Sequence, residues 1–315
     1  MLLLKVDANN PDKAIIAQAG TILRQGGLVV FPTETVYGLG ADATNLDAVA
    51  GIYQVKGRPS DNPLIWHANS LDDFKNVVKI TPQAIKLAKA FWPGPLTMVL
   101  SKADGDTLAV RVPKHPVARA VIKASGCFIA APSANISGRP SPTTAQHVAC
   151  DFFNKNQIDM LIDGGATQNG LESTVVDLHT NTPKLLRPGS ITLEMLREVL
   201  PDIEIYTPAD FENAPLAPGM KYRHYAPSAP LILLVGSPDA VSHKITDYKS
   251  KLSNIGILRT YDIALEEVAK GLFDSLRKFD EDEVDTIIAE GVVEEGIGLA
   301  IMNRLKKAAV EVVYL

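Results

Sequence analysis

The chain has 315 residues, 46% of them hydrophobic and 21% charged, with a formal net charge of −5. That length favours two domains over one, and the composition is that of a globular protein, not a disordered, fibrous or disulfide-rich one. No apolar run approaches the roughly 18 residues of a membrane span, the opening Met1-Leu-Leu-Leu-Lys5 is too short for a signal peptide, and two cysteines, Cys127 and Cys150, suit a reducing cytoplasm without implying a disulfide framework or a metal site.

The first helix is expected after Asn10, a capping residue, and Pro11, with Ala14, Ile15, Ala19, Ile22 and Leu23 at helical spacing and Gly26-Gly27 ending it. Leu28-Val-Val-Phe31 then reads as a buried strand. The string Pro32-Thr-Glu-Thr-Val-Tyr-Gly38 therefore leaves the carboxyl end of a strand, a favoured place for ligand loops in α/β sheets. Further helices are expected at 46–54, 71–78, 82–91, 117–124, 143–152 and 191–199, and strands at 64–67, 96–100, 108–112, 127–131, 160–163, 174–177 and 184–187. Strands outnumber helices and several are sequential, so a mixed, twisted sheet is favoured over a purely parallel one.

From 204 to 229 periodicity fades among Pro208, Pro215, Pro218 and Pro227, which reads as a linker between a domain at 1–203 and another at 230–315. Its end, Pro218-Gly-Met-Lys-Tyr-Arg-His-Tyr-Ala-Pro227, carries Lys221, Arg223, His224 and two tyrosines. A passive spacer does not need them, so the segment is expected either to fold over a ligand pocket or to pack at the domain interface. From 231 the rhythm becomes strand 231–235, helix 239–251, strand 254–258, helix 264–279, strand 285–289, helix 294–309 and strand 311–315. That alternation predicts a small parallel α/β domain of Rossmann type. It contains neither G-x-G-x-x-G nor a Walker lysine, so no nucleotide is assigned to it.

Chemistry concentrates in the first domain. Residues 51–150 carry 12 Lys/Arg against 5 Asp/Glu, whereas 229–315 carry 10 against 15, so an anionic ligand is expected on the earlier segment. Lys56 and Arg58 flank Gly57, and a point charge beside a planar fork suits a polyphosphate, although the string alone also fits a solvated turn. Ser133 and Asn135 follow a strand end and can read a phosphate or a purine edge, and Ser137 and Ser141 extend the same loop. His67 ends a strand with no second ligand at zinc spacing, and no G-x-S-x-G elbow is present.

Residues 10–200 resemble the YrdC-type domain, and the whole chain resembles the two-domain family of threonylcarbamoyl-AMP synthases, which act in tRNA modification. The resemblance rests on Pro32-Thr-Glu-Thr-Val-Tyr-Gly38, Lys56-Gly-Arg-Pro59, Asn62-Pro-Leu64, Pro93-Gly-Pro95, Arg111-Val-Pro113, Ala131-Pro-Ser-Ala-Asn135, Glu172-Ser-Thr-Val175, Arg187-Pro-Gly-Ser190 and His224-Tyr-Ala-Pro227. It implies an α/β fold, a YrdC-like mixed sheet followed by a Rossmann-like domain. It implies a nucleotidyltransferase that joins L-threonine, bicarbonate and ATP into threonylcarbamoyl-AMP and releases pyrophosphate, with Mg²⁺ carried on the phosphates.

Thr35, His67, Arg119, the backbone of Ala131 and Ser173 are then the implied L-threonine site, with Arg119 facing the carboxylate. Arg58, Asn62, His115, Ser133, Ser141, Arg187 and Tyr225 are the implied ATP site. Lys56 and Arg58 are the implied catalytic cations. The implied partner is an enzyme that transfers the group to tRNA, with a weak tRNA contact of the chain itself left open and no membrane. Two rivals stand beside this reading. One is an RNA-binding or regulatory module of the same fold without adenylation activity. The other is a carbamoyl-transfer enzyme of hydrogenase maturation, whose zinc-binding cysteine clusters two cysteines cannot build.

Overall fold

A computed structural model describes residues 1–152, 157–207 and 224–315. The chain runs β1 (Leu2–Lys5), α1 (Lys13–Arg24), β2 (Val29–Pro32), β3 (Tyr37–Asp42), α2 (Leu46–Lys56), β4 (Ile65–His67), α3 (Pro82–Phe91), β5 (Leu96–Ser101), β6 (Thr107–Arg111) and α4 (Pro116–Ser125). It continues through β7 (Ile129–Ala130), α5 (Ala145–Phe152), β8 (Met160–Asp163), β9 (Thr174–Asp177), β10 (Lys184–Arg187), α6 (Leu193–Val199) and β11 (Glu204–Ile205). The second domain adds β12 (Leu231–Val235), α7 (Pro238–Lys251), β13 (Ile255–Leu258), α8 (Leu265–Glu281), β14 (Thr286–Glu290), α9 (Ile297–Ala308) and β15 (Glu311–Tyr314).

The first domain is built on an 11-stranded sheet ordered β1-β8-β2-β3-β7-β4-β6-β5-β9-β10-β11. It is mixed, as the sequence predicts: β4 and β6 run parallel, whereas β2–β3, β5–β6 and β9–β10 are antiparallel. Val29, Val30 and Phe31 of β2 are wholly buried because both faces of the sheet are covered, one by the α1–α4 layer and the other by α2 and α5. The second sheet, β13-β14-β12-β15, is parallel throughout, the arrangement predicted from its strand–helix alternation.

Local expectations shift in three places. Asp12, not Asn10, caps α1, its carboxylate accepting from the amides of Ala14 (2.8 Å) and Ile15 (3.1 Å). The helix expected at 71–78 shrinks to one 3₁₀ turn at Asp72–Phe74. The loop expected after Pro32 is a tight hairpin turn, because β3 turns straight back on β2 and pairs Tyr37 with Pro32. Pro208, Pro215, Pro218, Gly219, Lys221 and Arg223 lie outside the described residues.

The two domains share a core. Val36 and Leu171 of the first domain pack with Tyr225, Leu233, Leu272, Phe273 and Leu276 in one buried cluster. Burying a side chain of that size stabilises by about 1.5–3 kcal/mol. Polar pairs flank the cluster: Arg277 of α8 bridges Asp151 at 2.8 Å, and His147 of α5 faces Asp274 at 3.2 Å. Gly170, with φ +73°, lies against the α8 backbone, where an added Cβ would meet Lys270 main-chain atoms at 2.3–2.6 Å. Gly170→Ala is therefore expected to destabilise the folded chain by about 1–3 kcal/mol through overpacking. Chemical denaturation measures this, and an unchanged midpoint would contradict the close approach.

Candidate active site

The hairpin turn, the end of α2, the ends of β4, β6 and β10, and the loop after β7 converge on one cleft. Thr35, Lys56, Arg58, His67, Ala131, Ser133, Ser141, Ser173, Arg187 and Tyr225, ten residues expected from the sequence, all line it. The turn is fixed locally. The Thr33 hydroxyl accepts from the amides of Thr35 (3.2 Å) and Val36 (3.3 Å) and donates to the Val36 carbonyl at 2.7 Å.

Lys56 is the last residue of α2, and Gly57 caps the helix in the left-handed region at φ 61°, where a Cβ is unfavourable. The Lys56 ammonium points into the protein and donates to the carbonyls of Ser133 (2.6 Å) and Asn135 (2.5 Å). Burial, with Arg58 nearby, pushes it well below its ordinary value. Lys56 thus braces the loop that presents Ser133, whose hydroxyl donates to Asn135 Oδ1 at 2.5 Å. Arg58 is aimed by two carbonyls, Asn62 at 3.2 Å and Pro63 at 3.1 Å, and burial lowers its guanidinium to about 10. Such cations gain most from an anion that completes their hydrogen bonds.

At the other end, parallel pairing of β4 with β6 sets His67 beside Arg111. His67 Nδ1 lies 3.1 Å from the Ile65 carbonyl and 3.3 Å from that of Ile129, so Nδ1 carries the proton and Nε2 is left as an acceptor. Burial and then the Arg111 charge push the imidazole down to about 3. Arg111 bridges Glu34 at 2.8 Å, while the other Glu34 oxygen accepts from the amides of Lys114 (3.0 Å) and His115 (3.3 Å). Burial opposes the Glu34 charge, but Arg111 and these amides hold the carboxyl below its usual range. Ser173 is fixed by Thr97 (2.8 Å) and by Arg187, which donates to its carbonyl (3.0 Å) and hydroxyl (3.1 Å). The Ala131 amide is engaged by the Ile65 carbonyl at 3.0 Å.

Three expected residues do not line this cleft. Asn62 lies behind it, its carbonyl bracing Arg58 and its buried Oδ1 unpartnered. His115 caps α4 by accepting from the Val117 amide at 3.2 Å. Arg119, one turn further along α4, lines a separate cleft with Asn69, Asp73 and Lys123, apart from the other residues expected at the threonine site. Arg111 occupies the central cleft instead, delivered by strand register rather than by a helix face.

Arg111 and Glu172 stand in motif strings that assign them no role, His224 lies in the segment expected over the pocket, and nothing in the sequence singles out Arg304. All but Arg304 line the cleft. Arg304 comes from α9 of the second domain, is fully buried, and reaches Glu172 at 3.2 Å. An arginine inside an amphipathic helix carries no local signal of such a role. Tyr225 adopts φ 67° and stacks on Phe273 with ring centroids 5.4 Å apart, and burial raises its phenol above the ordinary value. His224 Nε2 is buried without a partner, and burial followed by the Arg58 charge lowers the ring to about 4. Among the described residues no group of three or more His, Cys, Asp or Glu could hold a metal ion, and no helix is long and apolar enough to cross a membrane.

His67 is expected to stay neutral with the proton on Nδ1 from pH 8 to about pH 4, as read by nitrogen-resolved NMR of the ring. Because its folded value lies below the ordinary 6.5, the unfolded chain binds more protons between about pH 6.5 and 3, and stability contributed by the neutral ring is lost as pH falls through that window. An imidazolium spectrum at pH 6 would contradict the geometry.

A family model described as Telomere recombination matches residues 21–189, and one described as Threonylcarbamoyl-AMP synthase, C-terminal domain, matches residues 191–310. The chain is 46% identical to a threonylcarbamoyl-AMP synthase of Bacillus subtilis over 97% of its own length and 95% of that protein's. It is 48% identical to one of Pyrococcus abyssi over 92% and 93%. Its structure matches that of P. abyssi Sua5 in complex with L-threonine at a TM-score of 0.93 with 45% identity, covering 100% of both chains. With the motifs in one cleft and both domain models matched in order, the chain belongs to the two-domain threonylcarbamoyl-AMP synthase family.

Proposed function

We propose that this chain converts L-threonine, bicarbonate and ATP into threonylcarbamoyl-AMP and pyrophosphate in the cytoplasm, for hand-over to an enzyme that modifies tRNA. The observation that carries the reading is the cleft itself, which gathers Lys56, Arg58, Arg111 and Arg187 against one lining carboxylate, Glu172, itself paired with Arg304. The excess of cations over carboxylates in the lining suits an anionic ligand.

The amino acid fits the Arg111–His67 end. The Arg111 guanidinium suits a carboxylate, neutral His67 Nε2 accepts from the amine or hydroxyl, and Thr35 and Ser173 supply short polar contacts. ATP fits the other end, with Arg58 and Arg187 toward the phosphates, Ser133 and Ser141 beside them, and Lys56 adding positive field while it braces the loop. The threonine amine takes up bicarbonate to form a carbamate with loss of water. A carbamate oxygen then attacks the α-phosphorus, a new P–O bond forms, and the bond to the departing pyrophosphate breaks. The chain's work is alignment and charge neutralisation rather than covalent catalysis. Mg²⁺ would arrive on the ATP phosphates, where it offsets their charge, since the described residues offer it no carboxylate cluster.

The domain division at 1–203, 204–229 and 230–315 belongs to the same proposal, with the middle segment closing the nucleotide end. His224 and Tyr225 support it, since both line the cleft and the Ala226 amide bonds the Gly138 carbonyl at 2.9 Å. A closed cover would keep water from a labile mixed anhydride. The reading as an RNA-binding module is weaker, because Lys56 and Arg111, two of the cations behind it, are buried in the cleft rather than on an open face.

Pyrophosphate release is expected to need L-threonine and bicarbonate together, with serine about 10- to 200-fold poorer for want of the methyl group. Equal rates with serine, or release without bicarbonate, would overturn the substrate assignment. Tyr225→Ala is expected to raise the KM for ATP on the order of tenfold while threonine affinity is retained, a difference of about 1.4 kcal/mol. Equal weakening of both substrates would contradict the placement of Tyr225 at the nucleotide end.

A further inference from the structure

Arg304 does not line the cleft, yet three walls of it meet at its guanidinium. Nε donates to Glu172 Oε2 at 3.2 Å and Nη2 to the Glu172 carbonyl at 3.3 Å. Nη1 donates to the Pro188 carbonyl, next to Arg187, and the guanidinium carbon stands 5.6 Å above the Tyr225 ring. The other Glu172 oxygen accepts from the Ser141 hydroxyl. A planar fork with five donors can serve this many acceptors at fixed angles, and a lysine cannot. The Ser141 loop is gripped a second time by the second domain: Arg277 of α8 donates to the Pro140 carbonyl at 2.6 Å and pairs with Asp151 at 2.8 and 3.1 Å.

We propose that Arg304 is a positioning residue of the first domain's pocket: it pins the Glu172 carboxylate, and through it the Ser141 hydroxyl, while seating Tyr225, so that the pocket is completed across the domain interface. This inference rests on the synthase reading given above. The alternative is that the pair only glues two domains together, since buried ion pairs often contribute little net stability. The geometry favours positioning, because every partner of Arg304 outside its own helix belongs to a string that lines the cleft or adjoins such a residue.

The charge environment gives a readout that glue would not move. Burial disfavours the Glu172 carboxylate, and Arg304 followed by Arg187 outweighs it, holding the carboxyl below its ordinary value. The groups facing Glu172 are Arg304 and Lys307 from α9, Arg187 from β10, Lys56 from α2, and His224 and Tyr225. Removing Arg304 removes the strongest influence that keeps Glu172 ionised, so its carboxyl should rise toward and beyond its ordinary value.

The test is a double-variant cycle on the full chain, with kcat/KM for ATP measured by pyrophosphate release against pH and ATP affinity measured by calorimetry. Arg304→Met is expected to lower kcat/KM roughly 10- to 100-fold, the loss of one or two charge-assisted hydrogen bonds, and to move the acid limb of the profile upward. Arg304→Lys should return the limb toward its wild-type position with part of the rate. Glu172→Gln should remove that limb, and Arg304→Met added to it should cost less than a further threefold. Wild-type behaviour of Arg304→Met, or losses that multiply in the double variant with the acid limb unmoved, would overturn the proposal in favour of glue alone. Should Arg304→Met fail to fold, Glu172→Gln decides by itself: unchanged kcat/KM and an unchanged acid limb would overturn the proposal. A wild-type chain that binds ATP but never releases pyrophosphate sinks the reaction, whereas the positioning role then stands or falls on the ATP affinities.

Discussion

The structure depends on keeping positive charge inside a pocket that protein burial alone disfavours. Lys56, Arg58 and Arg187 are all pushed below their ordinary values by desolvation, yet they lie within one cleft. Several devices make this tolerable. Carbonyls of Ser133, Asn135, Asn62 and Pro63 supply hydrogen bonds to Lys56 and Arg58, and Glu34 and Glu172 each take an arginine partner. What these devices do not neutralise is available to a polyphosphate and an α-carboxylate, whose binding offsets the remaining desolvation cost.

The architecture follows from that constraint. Cations must be aimed by rigid backbone, and the mixed sheet provides it by placing strand ends from both directions around one opening. Parallel β4 and β6 put His67 and Arg111 side by side, while the antiparallel β9–β10 pair brings Arg187 back against Ser173. The second domain is part of the same solution. Its core includes Val36 and Leu171 of the first domain, and its buried Arg304 balances Glu172. From it come Arg304, paired with Glu172 of the cleft wall, and Phe273, stacked on Tyr225.

Much of this was legible in the sequence where backbone chemistry and polar residues coincide in one short string. The Pro32-Thr-Glu-Thr string, Lys56-Gly-Arg58 and the Pro132-Ser133 loop stand out in this way, though the hairpin that the first of them forms does not, and the alternating pattern after 231 predicts the parallel sheet. Arg119 illustrates what local reading lacks. Its helix was placed correctly, but which face of α4 looks into the cleft is decided by packing on α1 and β2. Arg111 enters through strand register, and Arg304 arrives from 132 residues away along the chain to Glu172, so neither leaves a local trace. The helix expected at 71–78 was reduced to one turn, a tertiary outcome that the local pattern did not show.

The most direct test of the account is a crystal structure of the full chain with L-threonine and a non-hydrolysable ATP analogue together. The account requires the threonine carboxylate beside Arg111, its amine or hydroxyl at His67 Nε2, and the triphosphate along Arg58 and Arg187 with Tyr225 against the nucleotide. A triphosphate bound at the strand ends of the second domain, or a threonine carboxylate seated at Arg119, would contradict it.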